Sequence, residues 1–100
     1  MWGKNMCAKK FDYNICEDDV QMLRALAHPL RLRLVKELMN RGTCNVTQLQ
    51  EALQIPQSTV SQHLTKLKQT KVVQFQRRGL EVYYKVQDDK VNHVMGTLFT

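Results

Sequence analysis

Apolar residues recur along this chain with two different periods, and the change between them divides it into elements. In "VQMLRALA" they return every three or four positions, the repeat of a helix with one buried stripe. Acidic "CEDD" stands just before, which places carboxylates beside the positive end of that helix. The helix should end ahead of Pro29, because the residue preceding a proline, here His28, is steered out of the α region. Pro29 then opens a second helix, "PLRLRLVKELMNRG", where a missing N–H costs nothing in the first turn. Leu30, Leu34, Val35 and Leu38 share its stripe, and Gly42 is its stop signal.

A short third helix follows in "CNVTQLQEALQIP", with Asn45 as N-cap and Gln48 three residues on, the spacing of a capping box. Val46, Leu49 and Leu53 supply its buried side. Beyond the turn "QIPQS" comes "PQSTVSQHLTKLKQT", whose stripe is thin: Val60, Leu64 and Leu67. Its far side collects Ser58, Gln62, Thr65 and Gln69, with Thr59, Ser61, Lys66 and Lys68 on the shoulders. A merely solvated face would mix both signs of charge. This one offers hydrogen-bonding groups and cations, which suits phosphates and base edges. A short helix, a tight turn and a second helix of this polar kind make a helix-turn-helix.

After Thr70 the period changes to two. In "VVQFQRRGLEVYYKV" the alternating residues are Val73 and Phe75, then, beyond a turn at Gly79, Val82, Tyr84 and Val86. That is a β-hairpin carrying Arg77 and Arg78 at its tip. "DDKVNHVMGTLFT" closes the chain as a last helix with Val91, Val94, Met95 and Leu98 apolar. Residues 1–16 lack periodicity and read as an N-terminal arm, leaving residues 17–100 as one domain. The fold expected is mainly α with a β-hairpin wing: four helices, the hairpin and a fifth helix.

Composition adds an electrostatic preference. The 100 residues carry 15 Lys and Arg against 9 Asp and Glu, a net charge of +6, which favours an acidic partner. No apolar run approaches the roughly 20 residues of a membrane span, and "MWGKNMCAKK" offers no signal peptide, so a cytoplasmic chain is expected. Three widely spaced cysteines do not make a disulfide framework, and cytosolic thiols are mostly reduced. His28, His63 and His93 lack any surrounding nucleophile or carboxylate constellation, and there is no Gly-rich phosphate loop. An enzyme is therefore not expected.

Taken in order, "ALAHPLRLRLVKEL", "VTQLQEALQIPQSTVSQHLTKL" and "RRGLEVYYKV" resemble the ArsR (SmtB/ArsR) family of bacterial winged helix-turn-helix repressors, over roughly residues 20 to 98. Within it the chain is most similar to the short, PagR-type members that lack a metal site. The resemblance implies a homodimer built through the first and last helices. It further implies a recognition helix in the major groove of double-stranded DNA, at a palindromic operator, with the wing beside the backbone. Carried over position by position, it places Ser58, Thr59, Ser61 and Gln62 at recognition-helix positions and Arg77 and Arg78 on the wing, and puts His63 where the family usually has a His, packed or facing a phosphate rather than reading a base. With Gln57, Thr65 and Lys66 of the same polar helix, these are the DNA-binding residues expected. Two positions depart from the family pattern. Lys71 stands where a Gly commonly follows the recognition helix, and Leu80 stands where a basic residue often follows the wing Gly.

The family's metal sites are not matched. Its third-helix ligand pattern is Cys-Val-Cys-Asp-Leu, and here Asn45, Val46, Thr47, Gln48 and Leu49 occupy those positions, with Cys44 one residue too early. A last-helix site needs several spaced His and carboxylates, and only Asp88, Asp89 and His93 occur. Neither a metal nor another cofactor is expected. Cys7, Cys16 and Cys44 remain redox candidates, Cys44 because a helix N-terminus can lower a thiol's pKa. The function expected is a sequence-specific, homodimeric repressor. The alternatives are a winged-helix adaptor that binds protein, for which an apolar patch would be needed, and a thiol-responsive repressor using Cys7 and Cys16. RNA binding is disfavoured because no aromatic platform interleaves the basic residues.

Overall fold

The computed structural model describes residues 14–99. Within them the chain forms α1 (Glu17–Leu26), α2 (Pro29–Arg41), β1 (Cys44–Asn45), α3 (Val46–Leu53), α4 (Gln57–Gln69), β2 (Val73–Arg78), β3 (Glu81–Val86) and α5 (Asp89–Leu98). This is the winged helix-turn-helix order. Most of the expected arm, residues 1–16, lies outside the described residues.

Local chemistry fixes most of the boundaries. Glu17, Asp18 and Asp19 occupy the first turn of α1, where the helix dipole favours them. His28 is extended, with φ −154° and ψ 127°, and its ring Nδ1 accepts the Leu30 N–H at 3.1 Å, so it caps α2. Gly42 ends α2 at φ 89°, a conformation open to glycine at little cost. The capping box of α3 is complete: Asn45 Oδ1 accepts the Gln48 N–H at 2.8 Å, and Gln48 Oε1 accepts the Asn45 N–H at 2.9 Å.

Helix α4 ends in a Schellman arrangement. The Val72 N–H donates to the Leu67 carbonyl at 2.9 Å and the Lys71 N–H to the Lys68 carbonyl at 3.1 Å. This geometry needs a left-handed residue between them, and Lys71 supplies it at φ 64°. Gln54 is left-handed in the same way at the end of α3, at φ 58°, with no glycine to announce it.

The wing is larger than a hairpin. The sheet has three strands in the order β1-β3-β2, all antiparallel. Cys44 and Asn45 pair with Tyr84 and Tyr83, and β2 pairs with β3 from Val73 opposite Val86 to Arg78 opposite Glu81. Two-strand pairing was expected, because a two-residue strand is too short to show alternation. Val73, Phe75, Val82, Tyr84 and Val86 do share a face in this register.

One core joins the elements. Leu34, Val35 and Leu38 of α2 lie at its centre with Leu49 and Leu53 of α3, and Val60, Leu64 and Leu67 of α4. Met22, Ala25 and Leu26 of α1, with Val91 and Met95 of α5, close one side. Leu30 is only half-buried, and Leu98 is exposed despite its place on the apolar stripe of α5. Lys90 Nζ donates to Asp19 Oδ1 at 2.8 Å, bringing the start of α5 to the first turn of α1. No helix among the described residues is long and apolar enough to cross a membrane.

Candidate nucleic-acid interface

The stripe of α4 is fully buried at Val60, Leu64 and Leu67, which dictates what the helix shows outside. Gln57, Ser58, Ser61, Gln62, Thr65 and Lys66 are exposed, and Thr59 and His63 are half-buried on one flank. No acidic side chain lies anywhere on this helix. Thr65 turns its hydroxyl back to the Ser61 carbonyl at 2.9 Å, leaving Gln62 as the longest neutral donor and acceptor at mid-face. Lys66 and Lys68 stand in the last turn, where the helix dipole also favours cations.

Beside α4 stands the wing. Successive residues of a strand point to opposite faces, so Arg77 and Arg78 diverge. Arg78 lies with its guanidinium 5.0 Å from the centre of the Tyr83 ring, while its Nη2 donates to Gln76 Oε1 at 3.4 Å. Arg77 is on the other face, opposite Val82 and in line with Phe75. The tip itself is Gly79, at φ 64°, and Leu80, which is 99% exposed.

Four contacts that sequence reading missed tie the wing and the flank of α4 to the rest. Asn45 Nδ2 donates to Glu81 Oε1 at 2.7 Å, connecting the cap of α3 to the wing. Lys68 Nζ lies 4.5 Å from the centre of the Phe75 ring, connecting α4 to the root of β2. On the other flank the His63 and His28 rings are 4.6 Å apart, and Arg31 Nη1 lies 3.5 Å from His63 Nδ1. Burial first, then His28 and Arg31, hold the His63 imidazole below its ordinary pKa of 6.5. Nothing in "HPLR" or "SQHL" alone signals that pairing, since Arg31 and His63 are 32 residues apart.

The cysteines separate. Cys7 lies outside the described residues. Cys16, the N-cap of α1, is disulfide-bonded. The expectation of reduced thiols fails there, because counting cysteines argues against a framework of bridges and not against a single one. Cys44 is a free thiol, 1% exposed in β1. Burial pushes its pKa up, with Arg41 pulling it down and Glu37 adding to the rise. The helix-terminus activation expected of Cys44 is thus overridden by desolvation, and the thiol is a packing group.

Among the described residues no three His, Cys, Asp or Glu side chains gather where they could hold a metal ion. Asp88 is used otherwise, accepting the Lys90 N–H at 2.8 Å as the cap of α5.

Residues 28–74, which run from the cap of α2 through α4 into β2, match the family described as bacterial regulatory protein, arsR family. The chain is 45% identical over 89 residues to the transcriptional repressor PagR of Bacillus anthracis, covering 89% of each protein. It is 43% identical over 75 residues to the repressor SmtB of Mycobacterium tuberculosis, covering 75% of this chain and 55% of that one. The crystal structure of the Bacillus anthracis repressor PagR superposes with a TM-score of 0.77, over 82% of this chain and 93% of that one. The chain therefore belongs to the arsR family of bacterial regulatory proteins, as a winged-helix DNA-binding transcriptional regulator and not an enzyme.

Proposed function

We propose that this protein is a homodimeric repressor that reads a palindromic operator through α4 and acts without a family metal site. The observation that carries the reading is the surface of α4, where exposed Ser, Thr, Gln and Lys surround Gln62 with no carboxylate among them. An adaptor surface would be apolar there, and this one is polar. The names of the relatives PagR and SmtB, both transcriptional repressors, support the direction of regulation.

Dimerisation rests on the terminal helices. Leu23 of α1, Leu98 of α5 and the following Phe99 are 52%, 58% and 44% exposed, so both terminal elements keep large apolar side chains that a second copy could cover. A two-fold dimer doubles the +6 charge and sets its recognition helices about 34 Å apart, one turn of DNA, or a multiple of that. The test is selection of duplexes from a random-sequence pool by the purified protein. Enrichment of an inverted repeat supports the reading, and a pool that stays random contradicts it.

The disulfide at Cys16 favours a redox-responsive form of the same function, with Cys7 and Cys16 as the switch. Operator affinity should then change on reduction, and that change should vanish when both cysteines are replaced by Ser.

A further inference from the structure

On the flank of the recognition helix, between α1, α2 and α4, lies a cluster of His28, Arg31 and His63. Each is half-buried. The Arg31 guanidinium is anchored, its Nε donating to the Ala25 carbonyl, and it reaches His63 Nδ1 with Nη1 at 3.5 Å. Arginine can only donate, so His63 Nδ1 is the acceptor and the ring proton sits on Nε2. The same logic applies to His28, whose Nδ1 accepts the Leu30 N–H. With Nδ1 as the acceptor in each ring, the Nε2 edges of His28 and His63 are left as donors that no described residue engages.

Among the described residues no anionic side chain is in hydrogen-bond or ion-pair contact with His28, Arg31 or His63. The charged groups that bear on His63 are His28 and Arg31, both cationic or neutral. On α4 the residues one turn away along this flank are Thr59 and Lys66, a hydroxyl and a cation at the edge of the exposed face. A guanidinium and two fixed N–H donors without a carboxylate form an incomplete set, and an oxyanion completes it.

We propose that His28, Arg31 and His63 form a seat for a backbone phosphate of DNA on the flank of α4, with the Arg31 guanidinium as its permanent charge and the imidazole Nε2–H groups as hydrogen-bond donors. The proposal rests on the DNA-binding reading of α4 and adds to it. It differs from a generic basic patch in what each residue contributes. Arg31 carries a fixed charge and displaces a counterion, whereas His63, whose pKa is lowered, acts as a hydrogen-bond donor, so Arg31 and not His63 affects the salt dependence.

The experiment measures affinity by fluorescence anisotropy at pH 8, over a salt series, for a duplex selected from a random pool and for its scrambled counterpart. His63→Leu should weaken both duplexes by about five- to tenfold, the loss of one phosphate hydrogen bond in each protomer, with the log–log salt slope unchanged. His63→Gln, whose amide N–H can replace Nε2–H, should recover most of that loss. Arg31→Gln should weaken both duplexes and reduce the slope by about 0.9 per protomer. Thermal melts of each variant show whether it is folded at the assay temperature. If folded His63→Leu and Arg31→Gln bind both duplexes as the parent protein does, the cluster only braces α1 and α2 against α4, and the seat is overturned. If the parent protein binds neither duplex, the DNA-binding reading falls and takes the seat with it.

Discussion

Asn45 and Glu81 meet through a 2.7 Å hydrogen bond from the Asn45 side-chain amide to the Glu81 carboxylate. Asn45 is at once the cap of α3, a residue of β1 and the tether of the wing, so the position of β3 follows the start of the helix-turn-helix. Glu81 also lies directly opposite Arg78 in the hairpin, and it is a negative charge on a surface assigned to DNA.

Glu81→Gln keeps an oxygen to accept from Asn45 and removes that charge. Affinity for selected and scrambled duplexes should both rise by about two- to fivefold at low salt, and the gain should shrink as salt is added. Melting temperature should hold. A fall in affinity at unchanged stability would mean that the carboxylate positions Arg78 instead of opposing it.

Lys71 bears the backbone strain of the Schellman turn at φ 64°. A left-handed conformation costs an L-residue roughly 1–2 kcal/mol, and glycine returns about 0.4–1 kcal/mol of that through its freer unfolded chain. Lys71→Gly should therefore stabilise the fold by about 0.5 kcal/mol, raising the melting temperature by roughly 2–4 °C. Urea titration checks this, and a loss of stability would show that the Lys71 side chain makes a compensating contact.

These two sites show what a sequence can and cannot announce. Boundaries set by neighbouring residues were legible: the Asn45–Gln48 box, the Gly42 stop, the acidic first turn of α1. The left-handed turn at Lys71 could be anticipated from the family resemblance, and the one at Gln54 could not, because neither its neighbours nor its residue type marks it. Strand β1 was hidden because two residues have no period. Cys44, held in β1 opposite Tyr84, is buried in the core, and that burial reverses the expectation for its pKa. On α4 the buried and exposed faces follow from the positions of Val60, Leu64 and Leu67. The flank facing His28 and Arg31 depends on how three helices cross, which periodicity does not encode.

His63 should make stability depend on pH in a definite direction. Its folded pKa is lowered, so the neutral form is favoured by folding. The stabilisation is present above the ordinary value of 6.5 and is lost as pH falls below it towards the folded value. Urea melts at pH 7.5 and pH 5 should show a larger drop for the parent protein than for His63→Gln. Equal drops would place the acid sensitivity elsewhere.

Leu98, exposed on α5, belongs in the dimer contact if the terminal helices build it. Leu98→Asp should convert the protein to a folded monomer in sedimentation at micromolar concentration and abolish tight binding to the inverted repeat. A parent protein that is already monomeric there would overturn the dimer.

The central claim is that α4 reads sequence while the wing grips the backbone, and one paired measurement tests it. Affinities of Gln62→Ala and Arg78→Ala are compared with the parent protein on the selected operator and a scrambled duplex across a salt series. Gln62→Ala should lose about 1–3 kcal/mol on the operator and little on the scrambled duplex, blurring the preference at one base position. Arg78→Ala should weaken both duplexes by a similar factor and reduce the log–log salt slope by about one unit per protomer. Equal, sequence-independent losses for the two variants would contradict the account, leaving α4 as an electrostatic grip and the source of specificity elsewhere.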